Sequence, residues 1–187
     1  MIWLSVNRDL RMWNLLCSSG YKIPLITSII FRGDYPVKRD ALLESYYWPH
    51  HRRLERLVGE HLAQYGRVLV IDCHSFPSTP QPYELDSAGK RPEICIGTDS
   101  LHTPANLVSA LRTSLAGHGF STALNTPFAG ALVPLRYYRQ KLSVASVMIE
   151  VRRDLYINER TGARLPGFQT VRSRLAAALT RAIWESE

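Results

Sequence analysis

Asp72 and His74 stand two residues apart, directly after the apolar run Val68-Leu69-Val70-Ile71. That order places an acid and an imidazole at the end of a buried strand, where open α/β sheets keep their chemistry. Metal-binding histidines are commonly fixed in one tautomer by a carboxylate on the far ring nitrogen, so the pair reads as a metal ligand, His74, with Asp72 orienting it. The competing reading is a histidine that hydrogen-bonds a neighbouring carbonyl and does nothing more. Glu150 is the second candidate, a carboxylate inside the apolar stretch Val147-Met148-Ile149-Glu150-Val151. A carboxylate on an apolar strand needs a partner or a task. It could pair with Arg152 or Arg153, or face outward. Beside a metal with an open coordination position it could instead take a proton from water and pass it to a leaving nitrogen.

The elements that must position these groups follow from periodicity and turn residues. Met1 to Val6 reads as a strand ending in Asn7-Arg8, and Tyr21 to Phe31 as loop and extended chain interrupted by Pro24. From Arg39 to Tyr65 the pattern is helical, with Pro49 as a break; Leu54, Leu57, Val58, His61, Leu62 and Tyr65 share one face, which makes His61 a packed residue. Gly66 closes that helix and Arg67 to Asp72 is the central strand. Ser75 to Ser100, with Pro77, Pro80, Pro82, Pro92 and Gly97, reads as one long irregular stretch, and loops of that length are usually functional. Thr103 as N-cap and Pro104 open a helix through Leu115, ended by Gly117 or Gly119. Ser121 to Leu124 and Val144 to Val151 read as strands, and Phe168 to Trp184 as an amphipathic helix. The order is that of one α/β domain over residues 1–187: a single mixed, mostly parallel sheet flanked by helices.

Composition narrows the class. With 187 residues and 45% hydrophobic content the chain can bury one sizeable core. Its apolar runs are too short to span a bilayer, and Arg8, Asp9 and Arg11 sit where a secretory signal would be apolar; a cytoplasmic protein is expected. Cys17, Cys73 and Cys95 have no ligand or disulfide spacing. The net charge of +7 is spread along the chain with no nucleic-acid motif beside it, so it fits a basic surface, or arginines that draw a small anion into a cleft, better than nucleic-acid binding.

Six segments in order resemble the N-formylglutamate amidohydrolases, a family similar in fold to carboxypeptidase-like zinc hydrolases and to aspartoacylase. They are Asn7-Arg8, Tyr47-Trp48-Pro49-His50-His51, Asp72-Cys73-His74-Ser75, Ile94-Cys95-Ile96-Gly97-Thr98, Asn125-Thr126-Pro127-Phe128-Ala129-Gly130 and Ile149-Glu150-Val151-Arg152-Arg153-Asp154-Leu155-Tyr156. The resemblance implies zinc-dependent hydrolysis of an N-acyl amino acid, N-formyl-L-glutamate first among them. In that frame His74 matches a zinc ligand, Glu150 the catalytic glutamate, and Asn7-Arg8 the pair that grips the substrate carboxylate, a task suited to the arginine fork. Arg153 would bind substrate or pin the catalytic strand, Asn125 and Gly130 flank a turn that could approach the ligand, and the role of His51 stays open.

One departure accompanies these matches. Relatives carry, upstream of the Asn-Arg segment, a Pro-His-Ser-Gly segment expected to supply further zinc ligands, and it is missing here. The chain is therefore expected to be an N-terminally truncated member; a diverged member with other ligands, or a degenerate one that binds an anionic metabolite without hydrolysing it, are the alternatives. A lost strand would leave an apolar edge beside Ile2 and Leu4, inviting dimers or aggregates. Another amide hydrolase of the same fold, acting on a different acyl group or a peptide, is the nearest competing activity.

Overall fold

A computed structural model describes the backbone of residues 2–4, together with residues 40–81, 84 and 91–186; Asn7 and Arg8 lie outside the described residues. Among the described residues five strands form one sheet: β1 (Ile2–Leu4), β2 (Val68–Phe76), β3 (Ile94–Gly97), β4 (Thr122–Leu124) and β5 (Val144–Arg152), in spatial order β1-β2-β5-β3-β4. Every neighbouring pair is parallel except β5 with β3. Three α-helices among the described residues cover the sheet: α1 (Trp48–Tyr65), α2 (Ala105–Gly117) and α3 (Phe168–Glu185). The mixed, mostly parallel sheet expected from the element order is the one observed.

Strand pleating divides the molecule into two halves, because alternate residues point to opposite faces. Ile71 and Cys73 of β2, Val147, Ile149 and Val151 of β5, and Ile94 and Ile96 of β3 face one side. There they pack against Leu107, Leu111 and Leu115 of α2 and Leu175, Leu179 and Ile183 of α3. α2 and α3 are also tied directly, the Ser114 hydroxyl donating to the Ala178 carbonyl at 2.8 Å. Val68, Val70 and Val144 face the other side, against Leu54 and Val58 of α1. Since that second core is small, the strand positions beyond it on the same face are left for polar groups.

Several local expectations are corrected. Pro49 does not break the helix. It occupies the first turn of α1, and the helical run before it is widened to a π-helical turn at Leu43–Tyr47. His61 is half-buried rather than packed, its Nδ1 3.2 Å from the Leu57 carbonyl, and Tyr65 is exposed. β2 runs on to Phe76, so Asp72, Cys73, His74 and Ser75 are strand residues and not a strand end. β3 lies within the stretch read as irregular. Thr103 does not cap α2: its hydroxyl donates to the Ser146 carbonyl of β5 at 2.6 Å, and Pro104 takes the N-cap position.

The loop after β4 closes over β5 through fixed polar contacts. His102, 1% exposed, faces the Val144 carbonyl with Nδ1 at 2.8 Å and accepts the Arg139 N–H at Nε2 at 2.9 Å. Gly97 meets the same loop more tightly, since a Cβ there would lie 2.4 Å from the Gly130 carbonyl oxygen and 2.4 Å from the Met148 methyl. The Met148 methyl could rotate away, but the Gly130 backbone and the Met148 Cβ, 2.9 Å from the added carbon, would have to move. Gly97→Ala is accordingly expected to cost about 1–3 kcal/mol, the usual size of an overpacking strain, read as a lower urea midpoint at unchanged slope.

Candidate active site

Register places the two leading candidates side by side. β2 pairs with β5 so that His74 is opposite Glu150, and β5 pairs with β3 so that Cys95 is opposite Glu150 on its other flank. Residues paired across strands share a face, so His74, Glu150 and Cys95 form one row across three strands. The row lies on the α1 side, with Asp72 and Phe76 before and after His74 on β2. Both residues singled out from sequence are thus brought together by long-range pairing.

His74 Nε2 lies 2.8 Å from Asp72 Oδ1. The pair is close but Asp72 Oδ1 makes no well-directed hydrogen bond, so the carboxylate steadies the ring chiefly by its charge. With Nε2 turned to Asp72, a ligand at His74 would take Nδ1, which is the orientation a carboxylate-backed metal histidine requires. Glu150 is only 7% exposed and its Oε2 is buried without a hydrogen-bond partner among the described residues. Burial pushes its carboxyl up to about 7; His74 pulls it down, Asp72 adds to the rise, and Arg153 and Arg91 oppose it. A carboxyl group titrating near neutrality can both accept and donate a proton at working pH.

Cys95 donates its thiol to the Phe128 carbonyl at 3.1 Å, and burial, then the nearby Glu150 charge, raises it above an ordinary thiol against two backbone contacts and Arg91. It therefore stays protonated beside the carboxylate. Arg153 reaches back across the strand ends, donating from Nε to Ser75 Oγ and from Nη2 to the Ser75 carbonyl, both at 3.1 Å. That contact braces the residue after His74 against the turn after β5. Asn125 has φ 53°, accepts the Thr98 N–H at Oδ1 and donates from Nδ2 to Thr98 Oγ1, both at 2.8 Å. Its side chain staples the end of β4 to the segment after β3.

The start of α1 is within electrostatic reach of Asp72. His50 Nε2 is buried and unpartnered among the described residues; burial and His51 lower its affinity for a proton, and Asp72 acts in the opposite sense. His51 instead packs on Tyr47, ring centres 4.1 Å apart. Among the described residues no three His, Cys, Asp or Glu side chains are grouped so as to hold a metal ion. Catalytic zinc takes three protein ligands and keeps one position open, so the described residues do not complete such a site. No helix among them is long and apolar enough to cross a membrane.

Two residues of this face were not singled out from sequence. Cys95 has no ligand or disulfide spacing to mark it, although the alternation Ile94-Cys95-Ile96 puts it opposite in facing to its neighbours. Arg91, buried with its guanidinium 5.0 Å from the centre of the Phe76 ring, carried one signal, a cation directly before Pro92 and a buried strand.

Comparison with known proteins gives the family and the fold. A family model described as N-formylglutamate amidohydrolase matches residues 8–157. The chain is similar to an N-formylglutamate deformylase of Pseudomonas aeruginosa, 26% identical over 125 residues that cover 66% of this chain and 46% of that protein. It is also similar to the crystal structure of an N-formylglutamate amidohydrolase from Ralstonia eutropha, at 25% identity and a TM-score of 0.66, covering 79% of this chain and 54% of that one. A gene product of Agrobacterium tumefaciens, 22% identical with a TM-score of 0.57 over 80% and 55% of the two chains, shares the fold. The chain thus spans about half the length of the relatives it matches. With the family model covering most of its residues and the fold in agreement, the chain belongs to the N-formylglutamate amidohydrolase family.

Proposed function

We propose that the chain takes part in hydrolysis of the amide bond of an N-acyl amino acid, N-formyl-L-glutamate giving formate and glutamate. The observation that carries this reading is Glu150, buried beside His74 with its carboxyl near 7, where a general base and acid for amide hydrolysis belongs. Glu150 takes the proton of the attacking water and returns it to the leaving nitrogen. Asp72 holds the His74 ring, Arg153 braces Ser75, and Asn7-Arg8 grips the substrate carboxylate. Asn125 contributes by shaping the turn that carries Phe128 rather than by offering its own carboxamide. His74 is the residue that would hold a divalent ion, zinc by the chemistry of the family; further donors for it come from outside the described residues.

The test joins turnover to metal content. Purified chain incubated with zinc is expected to release formate from N-formyl-L-glutamate faster than acetate or succinate from the corresponding acyl amino acids. His74→Ala should lose the bound zinc, measured by elemental mass spectrometry, as well as the activity. Ligand affinity by calorimetry with no product from any acyl amino acid would sink the hydrolase reading and leave a binding module. Zinc retained at full stoichiometry in His74→Ala would remove His74 from the metal site.

A further inference from the structure

Three arginines on α1 and on the cover of β5 have their charges answered by glutamates. Arg52 faces Glu44, Arg56 faces Glu60 and Arg136 faces Glu55, all in exposed pairs. Arg91 is built differently. Its side chain is 7% exposed, its Nη1 donates to Glu84 Oε2 at 2.6 Å, and its own carbonyl is held by Arg152 Nη1 at 2.7 Å. Phe76 supports the flat face of the guanidinium. Charge, plane and backbone are therefore all fixed, yet Nε and Nη2 are buried with no hydrogen-bond partner among the described residues.

Those two atoms form one edge of the guanidinium, the side-on fork that matches the two oxygens of a carboxylate. Leaving two N–H donors buried and unsatisfied is costly, and native proteins keep few such groups without a use. Phe76 lies on the same sheet face as His74, two residues further along β2, so the fork belongs to the face that bears the row. The Arg91 charge acts on both Glu150 and Cys95, and Glu150 Oε2 is itself buried and unpartnered among the described residues. An unsatisfied two-donor fork and an unsatisfied proton acceptor thus share one buried face, while Glu84 holds the remaining nitrogen, Nη1.

We propose that Arg91 binds a carboxylate of the acyl amino acid, presenting its Nε–H and Nη2–H edge as a two-donor fork. This rests on the hydrolase reading above and adds to it a carboxylate anchor separate from Asn7-Arg8. An N-acyl amino acid offers an α-carboxylate, and an acidic one offers a side-chain carboxylate too; three probes tell them apart. N-formyl-L-glutamate carries both, N-formyl-L-norleucine only the first, and the α-amide of N-formyl-L-glutamate only the second.

Affinities are measured by calorimetry in a Glu150→Gln background, with and without Arg91→Lys. Lysine keeps a cation for Glu84 but has no fork. The expected result is a loss of about tenfold or more for N-formyl-L-glutamate and for just one of the two monocarboxylates, which names the carboxylate gripped. Arg91→Gln, which can still donate to Glu84, is read in the same way if the lysine variant melts early. Unchanged affinity for all three probes, or an equal loss for all three, would overturn the proposal while leaving the hydrolase reading standing. No binding of any probe to the chain with Arg91 in place would overturn both.

Discussion

Glu150→Gln is expected to lower turnover of an N-acyl amino acid by about 10²–10⁴-fold, the usual contribution of a positioned acid–base group, while ligand affinity changes by less than about threefold. Glutamine keeps the shape and an oxygen but cannot take or return a proton. The same substitution should stabilise the fold in buffer free of divalent ions, and the sign follows from the carboxyl. Its value rises from 4.5 to about 7 on folding. Between those limits the folded chain holds a proton that the unfolded chain has released, so stability falls as pH rises through the window. The penalty is fully present above about pH 7 and corresponds to roughly 3 kcal/mol. The variant should therefore match the parent near pH 4 and melt higher at pH 8. Retained turnover would remove Glu150 from the chemistry, and a melting difference independent of pH would show that its burial is not the source of strain.

The second large effect concerns the turn behind the row. Tyr156 is fully buried, packs edge-on to Phe168 with ring centres 6.2 Å apart, and accepts the Leu165 N–H at its carbonyl at 3.0 Å. It follows directly on the 3₁₀ turn Arg153–Leu155 that holds the arginine bracing Ser75. Tyr156→Ala should cost about 3–5 kcal/mol, as for other large aromatic side chains removed from a core, a large share of a typical domain's 5–15 kcal/mol. Urea unfolding is the measurement, with Leu135→Ala as the control: Leu135 is 81% exposed and its loss should stay within about 0.5 kcal/mol. A Tyr156→Ala midpoint close to that of the control would mean that the turn is not part of the cooperative core.

The residues of the row were legible because of what surrounds them. An acid, an imidazole and a second acid stand out against the apolar runs of β2 and β5. Their adjacency was not legible, since it depends on β5 lying next to β2, a pairing between residues some 76 positions apart that no local pattern carries. The same pairing explains why β2 continues to Phe76 past the expected end: each residue from Val68 to Phe76 finds a partner on β5. β3 escaped notice because a strand of four residues, Ile94–Gly97, gives too little alternation to outweigh the prolines around it. Thr103 was expected at the N-cap from local chemistry, and its hydroxyl went to Ser146 because β5 offered a carbonyl there. Arg91 is buried by Phe76 and Glu84, neither of which marks it in the chain.

The two-faced construction of β5 has a consequence for how this family can vary. Val147, Ile149 and Val151 serve the core, while Met148, Glu150 and Arg152 face the other way. A comprehensive substitution map should therefore split residues 147–152 into two interleaved sets: odd positions that govern how much protein accumulates, and even positions that govern what the accumulated protein can do. Insertion of a single residue within β5 would exchange the two sets at once. Innovation in substrate choice is consequently confined to the strand positions that share the face of Glu150 beyond the second core and to the loops, where a change can be tried without wagering the fold.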